Sequence, residues 1–284
     1  MVAEPQPSDL IAVTVEVAGR CLLPPVALRV MEVGEHERFS AHELSQAIAS
    51  DTSLTAHVLR LANSSFYGFP RRIATVRDAV VFLGFRAVRT AALGCCVQDA
   101  LPAPRSEVLD RRATWQFSIT VALLTEVLAR AEGAHTDTAF TGGVLHTFGR
   151  LALAERRPED FTRALVLAQR DGIPLAEAQR RILGYTDAEV GRAVVRSWGF
   201  PETLVGAAGA ADDRLPERAS LAALVREARE YALAQGESDG GDARLEAPAP
   251  LWATPRVSTA LDQVGGWRGV LDRSAMFLDH AGVV

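Results

Sequence analysis

Apolar residues recur along this chain at spacings of three and four, and alternation with a period of two is almost absent, so the pattern predicts helices nearly throughout. Pro25 stands where a first-turn proline is welcome, Val26, Val30 and Val33 follow at helical spacing, and Gly34 stops the segment. Ser40 and Glu43 form a capping box ahead of Leu44, Ala47 and Ile48. Asp51 caps a further helix with Leu54, Val58 and Leu61 on one face, ending near Gly68. Thr75 and Asp78 repeat the capping pattern before Val80 and Leu83. Longer helices follow over 106–132, 137 to about 156, 158–171, 174–183, 187–198 and 201 to about 212, each opened by a proline or a polar cap. Residues 234–250 are rich in Gly, Ala, Pro and charge and read as a flexible linker or long loop, with one or two helices beyond.

Composition narrows the chemistry. The chain has 284 residues, 48% of them apolar, which is enough for a core that needs no staples. Its 30 basic residues are all arginine, so Schiff-base lysine chemistry and the lysine-bearing phosphate loop are both excluded. Cys21, Cys95 and Cys96 have no paired spacing for zinc or redox work and read as buried small hydrophobes. A net charge of −5 argues against a surface that coats nucleic acid generally. The start MVAEPQPSDL is acidic and lacks a secretory pattern, and no run approaches a membrane span, so the expected location is cytoplasmic.

Three places could carry function. The stretch LRLANSSFYGFPRRI brings Asn63, Ser64, Tyr67, Arg71 and Arg72 to the end of an apolar helix face. These residues either lock a corner between two helices or present a polar surface to a ligand or partner. Between Ala56 and Trp115 there are nine arginines against four acids, which is either a solvated face or a patch for an acidic partner or nucleic acid. The residues from Ser40 to Ser65 could form a helix-turn-helix, although its second helix opens on acidic Asp51. Trp198-Gly199-Phe200-Pro201 reads as an aromatic turn packed into the core, with partner docking as the alternative.

The motifs LPPVALRVMEV, IASDTSLTAHVLRLANSSFYG, AVVFLGFRAVRTAAL, WQFSITVA, AFTGGVLHTFGRLAL, LGYTDAEVG and WGFPETLV, in that order from about Leu22 to Asp213, resemble the HDOD family. That family is a degenerate relative of the HD and HD-GYP metal-dependent phosphohydrolases. The resemblance implies an all-α multi-helix bundle in two packed sub-bundles meeting near Cys96 to Glu107, with a C-terminal helical appendage. It also implies a division into a helical extension over 1–21, the HDOD domain over 22–213 and a C-terminal region over 214–284.

HD hydrolases need several His and Asp ligands converging on a metal that activates water. In this chain the position resembling the first family histidine is Phe117, the His-Asp pair reads His146-Thr147, and Asp187 stands three residues after Gly184 where relatives keep a histidine. The later histidine pair corresponds roughly to Ala211 and Asp212. The resemblance therefore implies a vestigial pocket of Phe117, His146, Thr147, Arg150 and Asp187, with no catalytic residue, metal or cofactor. His146 is either a core histidine bonded to a neighbour or, with Arg150 and Asp187, part of a pocket for a phosphate or nucleotide. The expected role is a non-enzymatic bacterial signalling adaptor with a protein partner, or a nucleotide or second messenger, and no membrane. The alternative is a nucleic-acid-binding regulator using residues 40–115.

Overall fold

The computed structural model describes residues 7–20, 24–32, 41–63, 72–100, 109–136, 138–211, 220–239, 252 and 254–281. Among them there are sixteen helices and no strand. The chain divides into two compact units, Leu22–Leu101 with Leu271–Val284, and Met1–Cys21 with Pro102–Val270. The division falls at the end of Leu101 and again inside α16 (Gly266–Ala281).

The smaller unit holds α2 (Pro25–Glu32), α3 (Ala41–Ala49), α4 (Thr52–Ala62), α5 (Val76–Leu83) and α6 (Phe85–Asp99). Val26, Val30, Leu44, Ile48, Leu54 and Val58 are all buried, so the residues that set the helical pattern are also those that make the core. The caps lie where the sequence places them. Leu54 N donates to Asp51 Oδ1 at 2.9 Å, and Asp78 N donates to Thr75 Oγ1 at 3.0 Å. Gly84 at φ +88° caps the end of α5, its N donating to Val80 O, and a second helix, α6, begins at the next residue.

The larger unit is built around α7 (Arg111–Glu132), whose middle is buried almost all the way round. Asp110 caps it and Gly133 at φ +71° ends it. The helix starts at Arg111 rather than Ser106, which lies outside the described residues. Packed on α7 are α8 (Ala139–Leu145), α14 (Leu221–Ala234) and α15 (Pro255–Asp262). Around them stand α9 (Phe148–Arg156), α10 (Pro158–Asp171), α11 (Leu175–Leu183), α12 (Asp187–Ser197) and α13 (Glu202–Ala208). The N-terminal α1 (Pro7–Arg20) lies against α12 with Val13 and Val17 buried, and Glu16 pairs with Arg157 at 2.8 Å. α14 and α15 are bound into this unit through α7, and Trp252 stacks on Tyr231 with its Nε1 donating to Glu227 O.

The expected single helix over 137–156 is interrupted at His146-Thr147. The cause is competition for carbonyls. Ser118 Oγ on α7 donates to Val144 O at 2.9 Å, and His146 Nδ1 lies 2.5 Å from Gly143 O, so two acceptors of the helical ladder are taken by side chains. Apolar periodicity runs through such a break unchanged. Likewise the helix expected to reach about residue 212 ends at Ala208, with a turn at Gly209–Ala211.

Two glycines let these short helices approach closely. A Cβ on Gly143 would lie 2.3 Å from Ala122 Cα of α7, and one on Gly149 would lie 1.9 Å from Asp187 O at the start of α12. Both contacts are with backbone, which cannot swing aside. Gly149→Ala should therefore cost at least the ~1–3 kcal/mol typical of overpacking. Gly206→Ala, with only Ala222 Cβ at 3.9 Å, should be neutral or stabilising by up to ~1 kcal/mol. Urea unfolding of both variants checks the contrast.

Candidate functional site

The break between α8 and α9 places His146, Thr147 and Arg150 on one buried stretch of the larger unit, with Asp187 facing them from the first turn of α12. Arg150 is the hub. Its Nε donates to Asp187 Oδ2 at 2.7 Å, and its Nη1 lies 2.6 Å from Asp239 Oδ2 and 3.3 Å from Asp239 O. Arg229 of α14 donates to the same Asp239 oxygen at 2.7 Å. Asp187 is held further by Ala188 N, which donates to its Oδ1, and its own N donates to Gln179 Oε1 of α11. Residues from α9, α11, α12, α14 and the segment after α14 are thereby joined through one guanidinium. Both aspartates are buried, Asp239 to 1% exposure, and a buried carboxylate is costly unless it is paired.

His146 lies beside this network and is not bonded into it. With Nδ1 donating to Gly143 O, Nε2 is left as a buried acceptor without a partner. Thr147 Oγ1 and Gln179 Nε2 are likewise buried and unpartnered. Burial, more than any charge, pushes the His146 imidazolium down to about 4, and Arg229 and Arg150 push the same way. The Phe117 ring, fully buried on α7, packs 5.8 Å from the His146 ring at a 50° tilt. Truncating a ring buried in this way costs about 3–5 kcal/mol.

These groups do not fit a metal. One imidazole is present, its neighbour is an apolar ring, and the oxygens of Asp187 and Asp239 are committed to Arg150, Arg229 and Ala188 N. Among the described residues no three His, Cys, Asp or Glu side chains converge to hold an ion. The donor set suits binding an oxyanion rather than a cation.

The structure brings Phe117, His146, Thr147, Arg150 and Asp187 together as one buried group. It adds Asp239, Arg229 and Gln179, which sequence reasoning missed. Asp239 fell inside the stretch read as a linker; residues 240–250 of that stretch lie outside the described residues. Of the corner residues, Asn63 acts as a clasp, its amide donating to Ile73 O and accepting from Ile73 N, both at 2.7 Å. Arg72 is exposed, and Ser64, Tyr67 and Arg71 lie outside the described residues. The helix pair α3–α4 is present with a tight Ser50-Asp51 junction, and the Asp51 carboxylate is engaged in capping. Trp198 packs edge-on to Phe148 at 4.7 Å, with Phe200 at 6.1 Å; Phe148 and Phe200 are buried in the core and Trp198 covers them half-buried.

A neutral, buried His146 links stability to pH. Its folded value near 4 lies below the unfolded value near 6.5. The unfolded chain therefore binds the proton first, and the stabilisation present above pH 6.5 is lost as pH falls towards 4. The expected loss is on the order of 3 kcal/mol at one pKa unit per 1.36 kcal/mol. His146→Gln should flatten the stability profile across that window, measured by urea unfolding at stepped pH.

The chain matches the HDOD domain family over residues 21–214. It is similar to the crystal structure of an HDOD domain protein from Geobacter sulfurreducens, with 24% identity, a TM-score of 0.73, and 97% of this chain and 96% of that chain covered. A candidate phosphohydrolase from Shewanella amazonensis SB2B is 25% identical with a TM-score of 0.69, covering 97% of each chain. A candidate signal transduction protein from Marinobacter aquaeolei VT8 is 23% identical with a TM-score of 0.77, covering 97% of this chain and 64% of that one. A curated protein of Treponema pallidum is 22% identical over 185 residues, which are 64% of this chain and 36% of that protein. The chain thus spans about a third of that relative's length. No described helix is long and apolar enough to cross a membrane. With well over half of its residues inside the family match, on an all-α fold shared with solved family structures, this chain belongs to the HDOD domain family.

Proposed function

We propose that this chain is a non-catalytic signalling adaptor that works by binding a protein partner or a small signal. One observation carries the reading: the buried group at His146 uses its charges on itself. Arg150 and Arg229 are matched by Asp187 and Asp239, and Phe117 stands against the one imidazole. A hydrolase needs a metal or a positioned base to activate water, and His146, uncharged and walled by an apolar ring, has no carboxylate bonded to it to orient it as a base. Family membership supports a regulatory role. The phosphohydrolase description of the Shewanella neighbour is the competing reading, and it needs ligands that this site lacks.

The test is to restore ligands and look for turnover. Wild-type protein with manganese should not cleave a phosphodiester substrate, and Phe117→His with Thr147→Asp should also be inactive, because Asp187 remains bound to Arg150. Both should retain capture of a specific protein from a lysate of the source cell. Metal-dependent turnover abolished by His146→Ala would show the site to be an enzyme's. Recovery of nothing but chaperones would remove the partner from the proposal.

A further inference from the structure

We propose that Arg150 and Arg229 form a binding site for inorganic phosphate or a phosphate monoester, which Asp239 keeps closed as a built-in substitute for that anion. The proposal deepens the reading of this site as one that binds rather than catalyses. The two guanidinium groups, on α9 and α14, converge on a single oxygen, Asp239 Oδ2, at 2.6 and 2.7 Å. Two like charges aimed at one buried point need an anion between them. Here a side chain supplies it. With Asp239 in place its carboxylate is the anion at the point where the two arginines converge; with Asp239 withdrawn, that point loses its negative charge.

The unpartnered groups beside the network indicate which anion fits. Gln179 Nε2 and Thr147 Oγ1 are donors in need of acceptors, and His146 Nε2 is an acceptor in need of a donor. A carboxylate has acceptors only. A hydrogen phosphate has acceptors for two arginines, an amide and a hydroxyl, and also a P–OH that can donate to His146 Nε2. Asp239 therefore engages the arginines and leaves those three groups unmet, whereas a hydrogen phosphate carries partners of both kinds.

The closing element is short. α14 ends at Ala234, Gly236 takes φ +93°, and three residues later Asp239 reaches back to Arg229 on the same helix and to Arg150. A reversal of residues 236–239 about that glycine would carry the carboxylate and its Arg150-bonded carbonyl out together. Ligand binding at this site would then be read out as movement of the chain that follows α14.

The experiment uses the full chain and inorganic phosphate, with chloride and acetate at matched ionic strength. In Asp239→Asn the internal anion is gone, so phosphate should raise the melting temperature where chloride and acetate do not. Calorimetry should give phosphate binding at least tenfold tighter than in wild type. Adding Arg150→Met should abolish the response. An Asp239→Asn protein indifferent to phosphate, a response that survives Arg150→Met, or equal stabilisation by acetate would each overturn the proposal. Should that variant not fold, hydrogen exchange of wild type decides: saturating phosphate should speed exchange at residues 236–239, and unchanged exchange there overturns it. Cleavage of a phosphate monoester would count instead against the non-catalytic reading, so the two failures are distinct.

Discussion

A guanidinium buried inside a helical unit has to be matched or it unfolds its surroundings, and the larger unit is arranged to match Arg150. Breaking a buried ion pair by removing one partner costs about 3–5 kcal/mol, roughly a fifth or more of the stability of an ordinary domain. The pairing of Arg150 with Asp187 and Asp239 therefore constrains everything attached to those residues: the entry to α12, the register of α9, and the course of the chain after α14. The close approach of Gly149 to Asp187 O lies at the same junction, where α9 meets the start of α12 and Arg150 reaches its partner. Such pairs add little net stability over apolar packing of equal volume, so their effect here is to select one arrangement of five elements.

The same arrangement accounts for His146. It lies where α8 gives way to α9 because Ser118 and its own ring draw off the carbonyls of Val144 and Gly143. Burial then keeps it neutral, with Phe117 against one side of it. Residues at this place are thus engaged in holding helices together, and binding rather than proton transfer is the chemistry left to them.

Much of the fold was legible because its signals are local. Asp51 and Thr75 cap the helices they precede, and a cap is read within four residues, whereas the caps at Asp110, Thr186 and Ser220 were not picked out. The site was legible only in part. Phe117, Thr147 and Asp187 were found through family resemblance, since nothing in their spacing marks an interrupted ligand set. Asp239 carried no signal at all: it lies 89 residues from Arg150, among glycines and charges that read as solvated chain. Arg229 stood in a run of alternating charges that suits an exposed helix face equally well. The break at His146-Thr147 was hidden because it depends on Ser118, a tertiary contact that periodicity cannot register.

The account rests on the claim that the charged residues of this site are coupled to one another as structure. A double-mutant cycle between Arg150→Met and Asp187→Leu, read by urea unfolding, measures that coupling directly. The account expects an interaction energy of at least ~2 kcal/mol, with the double variant more stable than the sum of the single losses implies. Losses that add to within ~0.5 kcal/mol would mean the two residues act independently, and would contradict it.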